Sequence, residues 1–92
     1  MNAKAKGTRN EHRSRAILEV AGYRVTRAAG SLGEWDLIAV GSQDIVLCQV
    51  KSRDWPGEIE RRALAEFPVP PNARKILHRW RDRQRQPDVL EL

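Results

Sequence analysis

The sequence runs Trp35-Asp36-Leu37-Ile38-Ala39-Val40, then Gly41-Ser42-Gln43-Asp44, then Ile45-Val46-Leu47-Cys48-Gln49-Val50-Lys51, and these three segments decide the fold. Two apolar runs flank a cluster of turn-forming residues, which predicts an antiparallel hairpin with Val40 opposite Ile45. Counting outward from that pair places Asp36 opposite Gln49. Because side chains alternate along a strand, Gln49 and Lys51 share one face. A carboxylate, an amide and an ammonium group therefore meet at one end of an apolar hairpin, although core packing requires none of them.

The overall composition favours one small domain that binds nucleic acid. The chain has 92 residues, of which 40% are hydrophobic and 32% charged, and this predicts a single domain over residues 1–92. Its net charge is +5 and its pI is about 10.1, and 13 of its 17 basic residues are arginine. The planar guanidinium group suits phosphate recognition, so nucleic acid is the expected partner. The alternative is a basic surface that serves only solubility.

The cellular setting is predicted from the single cysteine and from the lengths of the apolar runs. Cys48 lies inside the second hairpin strand and has no second cysteine with which to pair. We expect it to pack as a small hydrophobic residue in the reducing cytoplasm. The apolar runs have the length of strands, so no membrane association is expected, and the basic N-terminus lacks the apolar core of a signal peptide.

A helix is predicted before the hairpin. Thr8-Arg9-Asn10-Glu11 matches the capping box, in which two side chains satisfy free amides at a helix start. The helix is expected over residues 9–21, with Gly22 as its left-handed end. Its apolar stripe has helical spacing and consists of Ile17, Leu18 and Ala21. Residues 1–7 are expected to form a loose basic arm.

The segments around the hairpin complete the expected core. Residues 23–28 are predicted to be a first strand, and residues 29–33 a loop. Both faces of the hairpin strands are apolar away from the polar cluster, so each face needs a cover. The helix at residues 9–21 is expected on one face, and a second helix at residues 57–67 on the other.

Two structures are compatible with the C-terminal third. Three prolines mark a loop at residues 68–71. Residues 72–80 then fit a helix, because Ile76, Leu77 and Trp80 have helical spacing, or a strand in which alternate residues share a face. Propensity alone slightly favours the helix. A last short strand is expected at residues 89–92.

The polar cluster of the hairpin suits divalent-metal cleavage of phosphodiester bonds. Mg²⁺ prefers oxygen ligands, and a bound metal activates water and neutralises charge that develops on phosphate. The candidate ligands are Asp36, the side-chain carbonyl of Gln49 and the backbone carbonyl of Val50. Lys51 beside them would position the attacking water or stabilise the transition state. Glu11 borders the apolar stripe of the first helix and is expected to reach the same end of the sheet.

Five segments carry a further resemblance through their order and spacing. They are Gly7-x-x-x-Glu11, Gly22-Tyr23-Arg24-Val25, Arg27-Ala28-Ala29-Gly30-Ser31, Asp36-Leu37-Ile38-Ala39 and Leu47-Cys48-Gln49-Val50-Lys51. Each motif is short, but together they resemble the archaeal Holliday-junction resolvases of the PD-(D/E)XK nuclease superfamily.

This resemblance implies both a fold and an activity. The fold is a restriction-endonuclease-like α/β core of the form αβββαβ, with a mixed sheet flanked by helices. It makes residues 74–82 a strand, which overrides the local preference for helix. The implied activity is Mg²⁺-dependent cleavage of branched DNA, with Mn²⁺ as a substitute, by a homodimer that acts on four-way junctions. The resemblance assigns Glu11, Asp36 and Lys51 to the active site and Ser31 to the loop beside it.

The main departure from the resolvase pattern is at the third acidic metal ligand. This ligand falls on Gln49, which offers an oxygen atom but no charge. Glu34 lies two residues before Asp36 and, in the predicted register, opposite Lys51. Glu34 is therefore the candidate compensating acid.

Basic residues are the candidates for DNA contact. The expected DNA-binding set is Lys4, Lys6, Arg9, Arg13, Arg27, Ser31 and Arg53. A second series, Arg79, Arg81, Arg83 and Arg85, recurs at strand alternation. That series would follow a phosphate backbone or simply form a solvated edge.

Three functions are compatible with this sequence. The first is a metal-dependent endonuclease acting on branched DNA. The second is a non-catalytic accessory protein that binds structured DNA on the same fold, with Gln49 marking lost chemistry. The third is a related nicking or repair nuclease with another DNA substrate, since a fold does not determine a substrate.

Overall fold

The computed structural model describes residues 3–28, 30 and 32–92. These residues contain two helices and five strands. The elements are, in order, α1 (Ala3–Val20), β1 (Arg24–Arg27), β2 (Leu37–Val40), β3 (Ile45–Lys51), α2 (Glu58–Glu66), β4 (Ala73–Arg79) and β5 (Asp88–Glu91). The sheet order is β1-β2-β3-β4-β5, and β3 and β4 pair in parallel while the other neighbours are antiparallel. The predicted mixed α/β architecture is confirmed.

The hairpin has the predicted register. Val40 lies opposite Ile45, and Leu37 opposite Cys48. The first strand of the hairpin, β2, is shorter than predicted: it begins at Leu37, so Trp35 and Asp36 lie before it. The hairpin nevertheless places β3 at the centre of the sheet, with β2 and β4 on either side.

The hairpin turn is fixed by the ring of Tyr23, which lies between α1 and β1. The N–H of Gly41 donates to the carbonyl of Asp44 at 2.8 Å. A Cβ atom at Gly41 would lie 2.8 Å from Cε1 of Tyr23, so the turn accepts only glycine without a shift. The Tyr23 hydroxyl donates to Asp44 at 2.9 Å, and this hydrogen bond raises the pKa of Tyr23.

Residues 73–79 form a strand, and the local preference for helix at residues 72–80 is wrong. Ile76 and Leu77 are neighbours in sequence, yet both are buried, one on each face of the sheet. Burial of consecutive residues on opposite faces is typical of a strand that is covered on both sides, and in β4 it extends over Ile76, Leu77 and His78. The strand ends at Arg79, before the predicted end at residue 82.

Each helix covers one face of the sheet, as predicted. The buried cluster on the α1 face contains Leu18, Val25, Leu37, Ala39, Val46, Cys48 and Ile76. The buried cluster on the α2 face contains Trp35, Leu47, Leu64 and Leu77. Trp35 meets Phe67 edge to face, with ring centroids 6.1 Å apart, and so fixes the segment just before Asp36.

Helix α1 differs from the prediction at both ends. It begins at Ala3, so residues 3–7 are helical and the predicted start at the capping box is wrong. Alanine and lysine are strong helix formers, and Lys6 forms an ion pair with Asp82 that ties this turn to the rest of the chain. The helix ends at Val20, and Ala21 is exposed, so it has no place in the core stripe.

The predicted stop of α1 is confirmed. Gly22 has φ +103°, a conformation that side chains disfavour. The Tyr23 N–H donates to the carbonyl of Leu18 at 3.1 Å, which closes the end of the helix. In the part of the chain that the structure describes, no helix is both long and apolar enough to cross a membrane.

Candidate active site

Asp36 lies one residue before β2, beside the end of β3. Its N–H donates to the carbonyl of Cys48 at 2.9 Å, and its Oδ2 accepts the N–H of Val50 at 2.7 Å. These two bonds span Gln49 on the neighbouring strand. Asp36 therefore lies beside Gln49, as the hairpin register predicts, and the backbone of β3 holds its carboxylate in place.

The environment of Asp36 disfavours its negative charge. Burial raises the pKa of Asp36 above its ordinary value, and the hydrogen bond from Val50 opposes that change in part. The charges of Glu11 and Glu34 raise the pKa of Asp36 further, whereas that of Lys51 lowers it. Two other acids and one lysine thus act on a single half-buried carboxylate. A cation bound there would relieve the repulsion.

Gln49 is buried, and its amide faces α2. Only 3% of Gln49 is exposed. Its Nε2 donates to Oε1 of Glu60 at 2.8 Å and to the backbone carbonyl of Glu34 at 3.3 Å. Both partners are acceptors, which fixes the amide orientation. Its Oε1 is buried and has no hydrogen-bond partner among residues 3–28, 30 and 32–92.

Lys51 shares its carboxylate partner with Gln49. Its Nζ lies 3.2 Å from Oε1 of Glu60 on α2, and both side chains are about one-third exposed. Burial opposes ionisation of Glu60, but hydrogen bonds from Gln49 and Lys51 and the charge of Lys51 hold the pKa of Glu60 below its ordinary value. Gln49 and Lys51 therefore lie on one face, as strand alternation predicts.

Glu11 lies on α1, and its charge raises the pKa of Asp36. Its Oε1 accepts a hydrogen bond from Nε of Arg27 at 3.1 Å. The preceding residue, Asn10, is buried and donates to Oγ of Ser52 at 2.9 Å. This bond attaches α1 to the residue that follows Lys51. The helix, β1 and the end of β3 are thereby held together around the acidic residues.

Glu34 does not occupy the strand position that the sequence predicts for it. The paired part of β2 begins at Leu37, so no ladder pairing places Glu34 opposite Lys51. Glu34 instead lies in an exposed turn, where its carbonyl accepts the Gln49 amide. Its charge still raises the pKa of Asp36.

The types of donor atom present are those that a magnesium ion prefers. Mg²⁺ is usually held by one or two carboxylates and keeps several waters. Asp36 and Glu11 carry carboxylates whose charges interact, and Gln49 has a buried oxygen, Oε1, that lacks a hydrogen-bond partner in the described ranges. No group of three His, Cys, Asp or Glu side chains that could hold a metal occurs within residues 3–28, 30 and 32–92. This donor set predicts weaker binding than a three-carboxylate site.

The proposed DNA-contacting residues fall into two groups. Lys4, Arg9 and Arg53 are exposed. The others have protein partners: Lys6 with Asp82, Arg27 with Glu11, and Arg13 with the ring of Trp80, over which its guanidinium stacks at 3.8 Å. Ser31 lies outside the described residues.

The C-terminal arginine series does not follow a strand. Only Arg79 belongs to β4, and Arg83 has φ +67°, so the alternation ends after the first member. Asp88 binds Arg79 at 2.7 Å and Arg81 at 3.1 Å. The guanidinium of Arg79 also lies 4.6 Å from the ring centroid of Trp55. The alternation seen in the sequence therefore does not continue as a row of arginines along one strand.

Sequence reasoning missed Glu60 and Asn10. A signal for Glu60 exists, because it is four residues before Leu64, the buried residue of α2, and so lies on the same helical face. In the sequence, Asn10 stands out only as part of the capping box, but the structure buries it, with 2% of the residue exposed. Cys48 behaves as predicted: it is buried, and burial raises its pKa to about 12, so the thiol stays protonated.

Comparison with known proteins supports the fold. No family model matches this sequence, and no curated protein matches it. Among solved structures, the chain is similar to Hjc, a Holliday junction resolvase from the archaeal hyperthermophile Archaeoglobus fulgidus. The TM-score is 0.72 at 21% sequence identity, over 90% of this chain and 73% of that chain. The chain therefore has the resolvase-like α/β fold, and the resemblance in the sequence is confirmed at the level of the fold.

Proposed function

We propose that this protein is a Mg²⁺-dependent endonuclease that cleaves branched DNA, in the manner of a Holliday-junction resolvase. One observation carries the proposal: two hydrogen bonds to the backbone of β3 hold Asp36 beside the end of that strand, which carries Gln49 and Lys51. The similarity to a resolvase structure supports the DNA substrate. A reducing cytoplasm is the proposed location, because Cys48 is a free thiol.

Each residue has a defined part in the proposed chemistry. The metal would be held by Asp36, Glu11, the Gln49 side-chain oxygen and the Val50 carbonyl, and when bound it supplies activated water and neutralises phosphate charge. Asp36 is kept in position by its bond to the Val50 N–H. The Lys51 ammonium would orient the attacking water and stabilise the negative charge that develops on the phosphate oxygens in the transition state. Mn²⁺ has similar ligand preferences and should substitute.

DNA binding is proposed to use the basic surface around this site. Lys4, Arg9 and Arg53 are exposed and available to phosphates, and the remaining members of the proposed set are Lys6, Arg13, Arg27 and Ser31. A four-way junction carries paired strands, so a two-fold homodimer would present one site to each of them. Glu34 is retained as a proposed compensating acid on the strength of its charge effect on Asp36.

The test uses a synthetic four-way junction and a linear duplex of the same sequence, each with Mg²⁺, Mn²⁺ or a chelator. We expect metal-dependent nicking of the junction, abolished in Asp36→Asn and reduced at least 100-fold in Lys51→Ala, with the duplex cut poorly. Glu66→Gln, which neutralises an exposed carboxylate at the end of α2, is the control and should cleave normally.

The second candidate is a non-catalytic protein that binds structured DNA. The neutral side chain at Gln49 favours it, since the site then has less negative charge for a metal. Junction binding without metal-dependent nicking, unaltered in Asp36→Asn and Lys51→Ala, would establish this candidate and exclude the nuclease. Preferential cleavage of nicked or flapped duplex over the junction would instead identify a repair nuclease on the same site.

A further inference from the structure

We infer that Glu60 is a positioning residue of this site: from α2 it supplies the negative charge that Gln49 lacks, and it holds Lys51 for catalysis. This inference rests on the proposed nuclease function. It differs from the role suggested for Glu34, because it places the compensating charge on a different element and in direct contact with Lys51.

The contacts define a compact three-residue arrangement. Oε1 of Glu60 accepts the Gln49 amide at 2.8 Å, and the same oxygen lies 3.2 Å from Nζ of Lys51. Its second oxygen, Oε2, lies 3.5 Å from Nζ. One carboxylate on the helix is thus shared by both polar side chains that β3 presents on this face.

The position of the charge explains why an amide is suitable at residue 49. Position 49 lies two residues before Lys51 on the same face, so an acid there or at residue 60 would serve the same ammonium group. The Gln49 amide has two acceptors, the Glu60 carboxylate and the Glu34 carbonyl. A carboxylate in its place would face both oxygen atoms at hydrogen-bond distance and would be repelled. Gln49 and Glu60 are therefore complementary, and the amide does not mark a dead site.

The arrangement also accounts for the Lys51 ammonium being held at the site. Lys51 is a long side chain with many conformers, and fixing it costs conformational entropy. Its contact with Glu60 restricts those conformers before DNA binds. Without Glu60, the lysine has greater freedom, and the nearby charge of Asp36 becomes an alternative partner.

The experiment is a charge exchange between the two positions. The set is the parental chain, Glu60→Gln, Gln49→Glu, the double variant Gln49→Glu/Glu60→Gln and the same-helix control Glu66→Gln. Each is assayed for junction cleavage, Mn²⁺ affinity by calorimetry without DNA, and junction binding in chelator. Thermal unfolding of each variant verifies that it is folded.

We expect each single variant to cleave at least 10-fold more slowly than the parental chain. The double variant should recover to within about 3-fold of it. Junction binding in chelator should change by less than 3-fold throughout, because the charge acts on the site and not on the general DNA surface. Mn²⁺ affinity should fall at least 3-fold in Glu60→Gln and recover in the double variant. A Glu60→Asp variant, with its shorter side chain, should retain more activity than Glu60→Gln.

A contact readout that does not depend on activity completes the test. In ¹H–¹⁵N spectra, the side-chain amide signals of Gln49 should shift and exchange faster with solvent in Glu60→Gln, and stay unchanged in Glu66→Gln. If the parental chain cleaves and Glu60→Gln behaves like Glu66→Gln, only this inference is overturned. If the double variant is slower than both single variants, exchange of the charge is likewise rejected. A parental chain that does not cleave overturns the proposed nuclease, and this inference with it.

Discussion

Oγ of Ser14 lies 2.8 Å from Nδ1 of His78, and the indole N–H of Trp80 donates to the same oxygen at 2.7 Å. All three residues are buried between α1 and β4. Because the hydroxyl oxygen accepts from Trp80, its own proton is available to His78. When Nδ1 of a neutral His78 accepts this proton, the ring proton lies on Nε2. A protonated His78 would bring a second donor to a hydroxyl that already accepts one.

The first prediction concerns pH. Burial lowers the pKa of His78 to about 4, from an ordinary value of 6.5. The unfolded chain therefore binds this proton at higher pH than the folded chain does. The stability linked to His78 is complete above pH 6.5 and falls as the pH drops towards 4, by at most about 3 kcal/mol at roughly 1.4 kcal/mol per pKa unit.

The measurement is urea unfolding from pH 7.5 to 4, for the parental chain, His78→Gln and the exposed-histidine control His12→Gln. The difference in stability between His78→Gln and the parental chain should shrink as the pH falls. The control should keep the parental pH dependence. Parallel pH curves for all three proteins would show that His78 does not carry the dependence.

The second prediction concerns Ser14 itself. Ser14→Ala leaves both the Trp80 N–H and His78 Nδ1 buried without their partner, and each such loss costs about 1–3 kcal/mol. We expect the free energy of unfolding in urea to fall by roughly 2–4 kcal/mol at pH 7.5. Ser42→Ala, in the exposed hairpin turn, should change it by less than about 0.5 kcal/mol. Equal values for the two variants would contradict the buried network.

The third prediction contrasts two glycines. Gly41→Ala should destabilise the fold by about 1–3 kcal/mol, because its Cβ would meet the Tyr23 ring at 2.8 Å. Gly7→Ala should stabilise it by about 0.5–1 kcal/mol, since Gly7 lies within α1 and nothing lies within 4 Å of an added Cβ. Opposite shifts in the urea midpoint are the expected result. A stabilised Gly41→Ala would contradict the packing at the turn, and a destabilised Gly7→Ala would contradict the open helical environment of Gly7.

The fourth prediction separates stability from activity at Asp36. Asp36→Asn keeps an oxygen for the Val50 N–H but removes a half-buried charge whose pKa is raised by burial. A raised pKa means that the ionised carboxylate destabilises the folded state relative to the unfolded chain. The metal-free variant should therefore melt roughly 2–5 °C higher than the parental chain, as expected for less than about 1 kcal/mol in a domain of this size. Junction cleavage should be lost.

Added Mg²⁺ provides the internal control for that variant. The ion stabilises only the chain that binds it, so the melting temperature of the parental chain should rise and that of Asp36→Asn should not. A variant that melts lower than the parental chain in chelator would mean that the carboxylate stabilises the fold.

The hairpin was predictable because its information is local. Turn formers bounded by apolar runs determined the Val40–Ile45 pairing, and a single glycine, Gly22, determined the end of α1. The convergence of Asp36, Gln49 and Lys51 followed from the same register, since alternation along a strand requires no knowledge of the rest of the fold.

The rest of the fold and of the candidate site depends on contacts between elements that are distant from each other in sequence. His78 is 64 residues from Ser14, and neither residue has a neighbour in sequence that indicates the contact. The start of α1 was missed because a capping box at Thr8 is outweighed by good helix formers before it. Glu60 is close to Gln49 in sequence, but their contact depends on how the helix crosses the sheet.

The parallel pairing of β3 and β4 constrains how residues 49 and 60 can change during evolution. A parallel pair requires a crossover, so completing the sheet necessarily carries α2 across the face on which Gln49 lies. An acid on the side of that helix that faces the sheet, as Glu60 does, is then within reach of the side chains at residues 49 and 51. Moving the acid between strand and helix therefore requires both positions to change together, because carboxylates at residues 49 and 60 would repel each other.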